Sequence, residues 1–306
     1  MKTPGQELDG DAPVPSAGGT SASSGESNRQ GRVRIAAVGD LHVTVGRAGR
    51  FRPAFRRVRA HADVLLLAGD LTHRGTPAEV RCMAEEATDL GLPVVAVLGN
   101  HDHVSSRGAV VTATLKESGI HVLDQSGTVL TVGGLRLGIA GMMGFGGGFD
   151  PVGALVRDER AERFGEILRG LDGDVRVALT HYAPVTGTLV GEPERLYPVL
   201  GSQAIGAAID ASGTHLAIHG HAHRGREHGV TPGGVPVRNV AYPVIRQEFR
   251  VYEVRLLADG GVEVTTVPYG GFGGWARWAR RRSSDLARHV VRRRLARGSG
   301  KQAIRG

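Results

Sequence analysis

The chain has one cysteine, Cys82, in 306 residues. An internal disulfide is therefore excluded. It has no run of about 18 apolar residues, so no membrane-spanning helix is expected. Its N-terminus has no charged segment followed by an apolar core, so no secretory signal is expected. These absences favour a cytoplasmic location. Cys82 falls within a predicted helix and reads as a packed structural thiol.

Charged residues at 22% and hydrophobic residues at 41% describe a globular protein able to bury a real core. The net charge of +8 is unevenly placed. Residues 271–306 hold eleven Lys and Arg against one acid, Asp285, whereas the preceding 270 residues hold 27 basic and 29 acidic residues. The basicity belongs to a tail, and the main domain is not built as a nucleic-acid surface. Three segments are expected. Residues 1–31 form a leader too poor in large apolar residues to offset ordering entropy. Residues 32–270 form the domain, and 271–306 form a basic, partly helical tail. A helix over 275–297 would carry Trp275, Trp278, Leu286, Val290 and Leu295 among many Arg. An anionic membrane surface or nucleic acid is the candidate partner of such a tail. The alternative is a solvated tail whose Trp residues pack back on the domain.

Short β-branched runs predict strands at 33–38, 64–68, 93–98, 120–123, 128–132, 135–140, 175–179, 215–218, 235–241, 249–257 and 261–267. Gly133-Gly134 reads as a hairpin turn. Helices are expected at 51–61, from Thr76 to about Leu90, and at 108–118, 158–170 and 201–211. Thr76-Pro77-Ala78-Glu79 supplies an N-cap, Pro at N1 and Glu at N3. The Gly-rich stretch Gly141–Phe149 is a loop that matches no phosphate-loop pattern. Alternating strands and helices give an α/β class with mixed sheets.

The informative stretches lie where strands end. Val33–Val38 runs into Gly39-Asp40-Leu41-His42, and Val64–Ala68 into Gly69-Asp70. Pro93–Leu98 runs into Gly99-Asn100-His101-Asp102, Val175–Leu179 into Thr180-His181, and His215–Ile218 into His219-Gly220-His221-Ala222-His223. Asp40 and His42 are two apart and share a side in extended chain. In α/β sheets, ligands bind beyond the carboxyl ends of strands. Five such ends can converge on one patch. Carboxylate, amide and imidazole donors without thiolates suit Mn, Fe, Zn or similar ions. Seven donors, Asp40, His42, Asp70, Asn100, His181, His221 and His223, exceed what one catalytic metal with an open position needs. They suit a pair of divalent or trivalent ions sharing a carboxylate, the clamp used for in-line displacement at phosphorus. Asp102 is expected to orient the His101 imidazole.

The ordered set Asp-x-His, Gly-Asp, Gly-Asn-His-Asp, His and Gly-His-x-His resembles the calcineurin-like metallophosphoesterase superfamily across residues 38–223. The resemblance implies a four-layer α/β/β/α sandwich. It assigns Asp40, His42, Asp70 and His223 to one metal, and Asp70, Asn100, His181 and His221 to the other. Asp70 and an attacking hydroxide would bridge the ions. His101 would stabilise or protonate the leaving oxygen. Gly69-Asp70-Leu71-Thr72-His73-Arg74-Gly75-Thr76-Pro77 looks like the branch with bacterial cyclic-nucleotide phosphodiesterases. A small phosphodiester such as a cyclic nucleotide is the expected substrate. A phosphomonoesterase or nucleotide pyrophosphatase using the same metals is the second reading, and a non-catalytic binding scaffold the third. His73, His103 and His219 lie near the motifs as supporting candidates, and Arg74 and Tyr182 as candidate phosphate contacts. His61, His121, His215, His228 and His289 match no motif position.

Overall fold

The computed structural model describes residues 31–149 and 158–268. The expected leader, apart from Gly31, and the expected basic tail with its helix lie outside these residues, as does His289.

The first sheet contains β1 (Arg32–Val38), β2 (Val64–Ala68), β3 (Val94–Val97), β4 (His121–Val122), β11 (Arg250–Leu256) and β12 (Val262–Val267). Its order is β12-β11-β1-β2-β3-β4, with β1 to β4 parallel and β11 antiparallel to both neighbours. The second contains β5 (Ser126–Val132), β6 (Leu135–Met142), β7 (Val175–Thr180), β8 (Leu216–His219), β9 (His228–Val230) and β10 (Pro236–Asn239). Its order is β5-β6-β7-β8-β10-β9, with parallel pairing from β6 through β10 and antiparallel edges. Both sheets are therefore mixed. Helices α1 (Arg52–Phe55), α2 (Pro77–Ala87), α3 (Gly108–Glu117), α4 (Glu159–Gly170), α5 (Tyr197–Leu200), α6 (Gln203–Asp210) and α7 (Tyr242–Ile245) connect the strands.

Sequence explains the layering. Every residue of β2, Val-Leu-Leu-Leu-Ala, is buried, as a central parallel strand covered on both faces requires. Edge strand β5 instead alternates between exposed and half-buried positions. Leu65, Leu67, Val95 and Val97 share one buried cluster with Leu137, Ile139, Val177, Leu179 and Ile218, so the sheets pack face to face. Val80 and Met83 of α2 and Val111 and Leu115 of α3 join the same cluster from the first sheet's side. Phe164 and Leu168 of α4 and Ile205 and Ile209 of α6 pack on Ala178 and Ala217 of the second sheet. Each such fully buried large side chain contributes about 1.5–3 kcal/mol through area removed from water. The result is the expected helix–sheet–sheet–helix sandwich.

Local signals mostly hold. The Thr76–Glu79 capping box starts α2. Gly133 and Gly134, at φ +57° and +77°, make the turn between β5 and β6. The expected helix over 51–61 does not form as one piece. Phe51, Ala54, Phe55 and Val58 keep helical spacing and are all buried. After Phe55, however, the amides of Arg57 and Ala60 each reach carbonyls three residues back at 3.0 Å, and the α-helix gives way to tighter turns. Strand β9 was not expected, because His228-Gly229-Val230 is too short and too polar to show a period. Between β7 and α6 the chain makes the single turn α5, and α6 starts at Gln203 rather than 201.

Candidate metal centre

Five strand ends deliver their polar residues to one place on the seam between the sheets. One donor atom from each of Asp40, His42 and His223 lies within 4.8 Å of the others, and Asp70, His181 and His221 form a second such group. Asp70 joins the two. Its Oδ2 is 3.7 Å from His42 Nε2, and its Oδ1 is 3.4 Å from His181 Nε2. Asn100 Oδ1 lies 3.2 Å from the same His181 nitrogen. His223 Nε2 is 2.8 Å from Asp40 Oδ1.

Hydrogen bonds to carbonyls fix which nitrogen each ring presents, because a carbonyl only accepts. His181 Nδ1 donates to Ala68 O at 2.9 Å, so its Nε2 faces Asp70 and Asn100. His221 Nε2 donates to Val199 O at 3.3 Å, which leaves Nδ1 free. Asp40 is held by the backbone amide of His221 at 2.9 Å. The amides of His181 and Tyr182 both donate to Met143 O, so the Gly-rich loop after β6 supports the His181 turn.

The backbone is bent sharply here. Asp40, His42, Asp70 and His221 have φ of +57°, +43°, +50° and +69°. A left-handed conformation costs a non-glycine residue about 1–2 kcal/mol. Four of the eight described non-glycine residues with positive φ are candidate ligands, so strain is concentrated at the site. Glycines allow the close approach. A Cβ on Gly99 would lie 2.2 Å from Asp70 Oδ1, and one on Gly220 would lie 2.4 Å from Asp40 Oδ2. Gly69, at φ +80°, faces the His181 ring, which an added Cβ would meet at 2.5 Å.

Charge keeps the carboxylates ionised and leaves a lone pair free on His42 and His221, while His181 holds a proton against Asp70 that an ion would have to displace. Burial works to raise the Asp40 carboxyl pKa, but the hydrogen bond from His223 and the charges of His181 and His223 hold it below the ordinary value. Burial likewise opposes ionisation of Asp70, and the charge and hydrogen bond of His181 outweigh it. Burial takes His42 and His221 down to about 4, so these rings are neutral near pH 7 with a lone pair free. Burial opposes protonation of His181, but the Asp70 carboxylate overrides it and carries the ring to about 9. Among the described residues, buried His42 Nδ1 has no hydrogen-bond partner. Two ionised carboxylates, an amide oxygen and imidazoles in two tight groups form a donor set that fits a pair of metal ions.

Asp102 corrects one expectation. It is fully buried and does not orient His101. Its carboxylate accepts from the amides of Leu71, Thr72 and Gly99 at 3.1, 2.8 and 2.9 Å and from Thr72 Oγ1 at 2.6 Å. Burial raises its pKa against these donors. It locks the Gly-Asn-His-Asp turn to the chain after Asp70. His101 Nδ1 is instead held at 2.9 Å by the carbonyl of His73.

The remaining candidates divide. The Tyr182 ring lies against His221 with centroids 4.3 Å apart. His219 is buried behind the last motif, 2.9 Å from Thr188 Oγ1, and burial lowers it to about 4. His103 is exposed. Arg74 is exposed and serves through its backbone, donating to Glu79 at 3.0 Å. His215 caps the Arg176 amide away from the centre. Sequence reasoning missed Thr72, the Val199 carbonyl and the packing role of the three glycines. The available signal was that four of the five motifs carry a Gly directly before their first ligand, His181 following Thr180 instead.

The calcineurin-like phosphoesterase family profile matches residues 33–225, and the chain belongs to that family. That family is one of phosphoester hydrolases with a dinuclear metal centre. A probable cyclic nucleotide phosphodiesterase of Synechococcus is 36% identical over 78 residues, covering 22% of this chain and 31% of that protein. The match thus spans about a third of that relative. Solved structures share the fold. Phosphopantetheinyl hydrolase of Mycobacterium tuberculosis aligns with a TM-score of 0.52 at 16% identity, over 69% of this chain and 90% of that one. A putative 5'-nucleotidase of Staphylococcus aureus aligns at 0.53 and 13%, over 77% of this chain and 53% of that one. Among the described residues no helix is long and apolar enough to cross a membrane.

Proposed function

We propose that the protein hydrolyses a small phosphodiester, such as a cyclic nucleotide, at a centre of two Mn, Fe or Zn ions. The observation that carries this reading is the placement of Asp70, with one carboxylate oxygen toward His42 and the other toward His181. A carboxylate so placed can serve both groups. Asp40, His42, Asp70 and His223 would hold one ion, and Asp70, Asn100, His181 and His221 the other. When bound, such a pair supplies an activated water and offsets charge on the phosphoryl oxygens during in-line displacement.

The chain's own residues do the rest. The Ala68 and Val199 carbonyls fix the faces of His181 and His221. His101 has its Nδ1–H fixed by the His73 carbonyl, which leaves Nε2 to stabilise or protonate the leaving oxygen when the ring carries a second proton there. The local match to a probable cyclic nucleotide phosphodiesterase supports a diester. Every candidate ligand falls between residues 40 and 223, which supports a catalytic domain distinct from the basic tail. That tail would meet an anionic membrane surface or nucleic acid.

The test uses full-length protein reconstituted with Mn, Fe or Zn. Bis-p-nitrophenyl phosphate is compared with p-nitrophenyl phosphate, followed by a panel of small phosphoesters. Faster diester cleavage is expected. Preference for the monoester would establish a phosphomonoesterase instead. Bound metal with neither ester cleaved would leave a binding scaffold.

A further inference from the structure

We propose that His73 is a second imidazole of the reaction centre, donating a hydrogen bond to the leaving-group oxygen beside His101. The proposal rests on the phosphoester reading above.

His73 is fixed at both ends of its peptide. Thr72 forms an isolated parallel bridge with Val43, and the His73 amide donates to Val43 O at 3.1 Å. Its carbonyl receives His101 Nδ1 at 2.9 Å. The backbone that aims His101 is therefore the same backbone that carries the His73 ring. That ring lies with its centroid 5.7 Å from His101 and 6.0 Å from His42. One ring nitrogen from each of His42, His73 and His101 falls within 4.8 Å of the others.

The His73 side chain is exposed, unlike His42 and His181, and no hydrogen bond to its ring nitrogens is present among the described residues. Buried ring nitrogens are taken up inside the fold, as those of His215 and His219 are here, whereas the exposed His73 ring keeps its nitrogens open to solvent and to a ligand. His73 has instead a rigid backbone and a ring left open beside the centre. A neutral imidazole carries one N–H in either tautomer. Rings with centroids 5.7 Å apart can both turn an N–H toward one oxygen between them at ordinary hydrogen-bond lengths of about 2.8–3.0 Å. When the P–O bond to the leaving group breaks, both bonding electrons stay on that oxygen. The oxygen of the attacking water-derived hydroxide forms the new bond to phosphorus; a His101 ring that carries protons on both nitrogens stabilises the leaving oxygen or gives it the Nε2 proton, and the His73 N–H donates a second hydrogen bond. Donors aimed at developing charge act mainly in the transition state.

The test compares two methyl aryl phosphodiesters on metal-loaded full-length protein, one releasing p-nitrophenolate and one releasing phenolate. His73→Ala should retain its metals. It should lose about 10-fold or more in kcat/KM with the phenolate ester and less than about 3-fold with the better leaving group. His73→Gln, which keeps an N–H, should recover part of the loss. Equal losses on both esters, no loss, or loss of metal would overturn the proposal. Should the unaltered protein cleave no diester, the functional reading fails on its own. Calorimetry with orthovanadate, which adopts the five-coordinate shape of the transition state, then decides, because His73→Ala should weaken its binding by about 5-fold, and unchanged binding would refute a role for the ring.

Discussion

The backbone amide of His101 donates a 2.8 Å hydrogen bond to Asp70 Oδ1. The turn that carries the general-acid candidate is thus fastened to the carboxylate proposed to serve both ions. Their roles remain separable, because the His101 contact uses backbone and survives loss of the imidazole. Asp70→Asn should lose metal and activity together. His101→Ala should keep both ions and lose about 10²-fold or more in turnover. Elemental analysis beside kinetics checks this, and equal metal loss in the two variants would contradict the division.

Asp102 makes a different prediction. Its carboxylate takes four donors in a dry environment. Asp102→Asn would turn an NH₂ group toward N–H and O–H donors. Such a replacement should destabilise the fold by about 2–3 kcal/mol, read by urea unfolding. Unchanged stability would show that Asp102 is not the lock between the two turns.

Gly99 tests the crowding of the centre. In Gly99→Ala the new Cβ would sit 2.2 Å from Asp70 Oδ1 and 2.8 Å from His181 Nε2. The variant should fold yet take up metal more weakly, by about 10-fold or more. Gly170→Ala is the control, since nothing lies within 4 Å of its Cβ position. Equal metal affinity in both variants would show that the centre is looser than its distances.

The basic tail should be dispensable for chemistry. Deleting residues 276–306 should leave hydrolysis of a small phosphodiester within a few-fold of the full chain. Salt-sensitive binding to anionic vesicles or nucleic acid should fall, because attraction between net charges weakens as ionic strength rises. Loss of small-substrate hydrolysis in a folded, metal-loaded truncation would place the tail in the active site.

Much of the centre was legible because its parts are strand ends. A run such as Val64–Ala68 announces a buried strand, and Gly69-Asp70 announces where it stops. All seven candidate ligands gather where the five ends meet. What sequence could not show was orientation. Asp102 next to His101 invites a side-chain pair, yet the tight turn sends the carboxylate inward to Thr72 and leaves the ring to the His73 carbonyl. Segment 51–58 shows the same limit. Its apolar spacing is helical, but that spacing does not distinguish an α-helix from successive tighter turns. Strand β9 is read only through its partner β10.

Each donor group draws on both sheets. Asp40 and His42 follow β1, whereas His223 follows β8, and Asp40 and His223 are 183 residues apart. Asp70 follows β2, whereas His181 and His221 follow β7 and β8. An ion held by either group is therefore a clasp across the seam of the sandwich. Whatever binds the folded chain but not the unfolded one deepens the native well. If the two groups hold ions as proposed, a cell starved of them would leave the clasp open, the seam would breathe more often, and proteases would meet the chain sooner. Metal supply would then govern how much of this protein persists, as well as how fast each copy works.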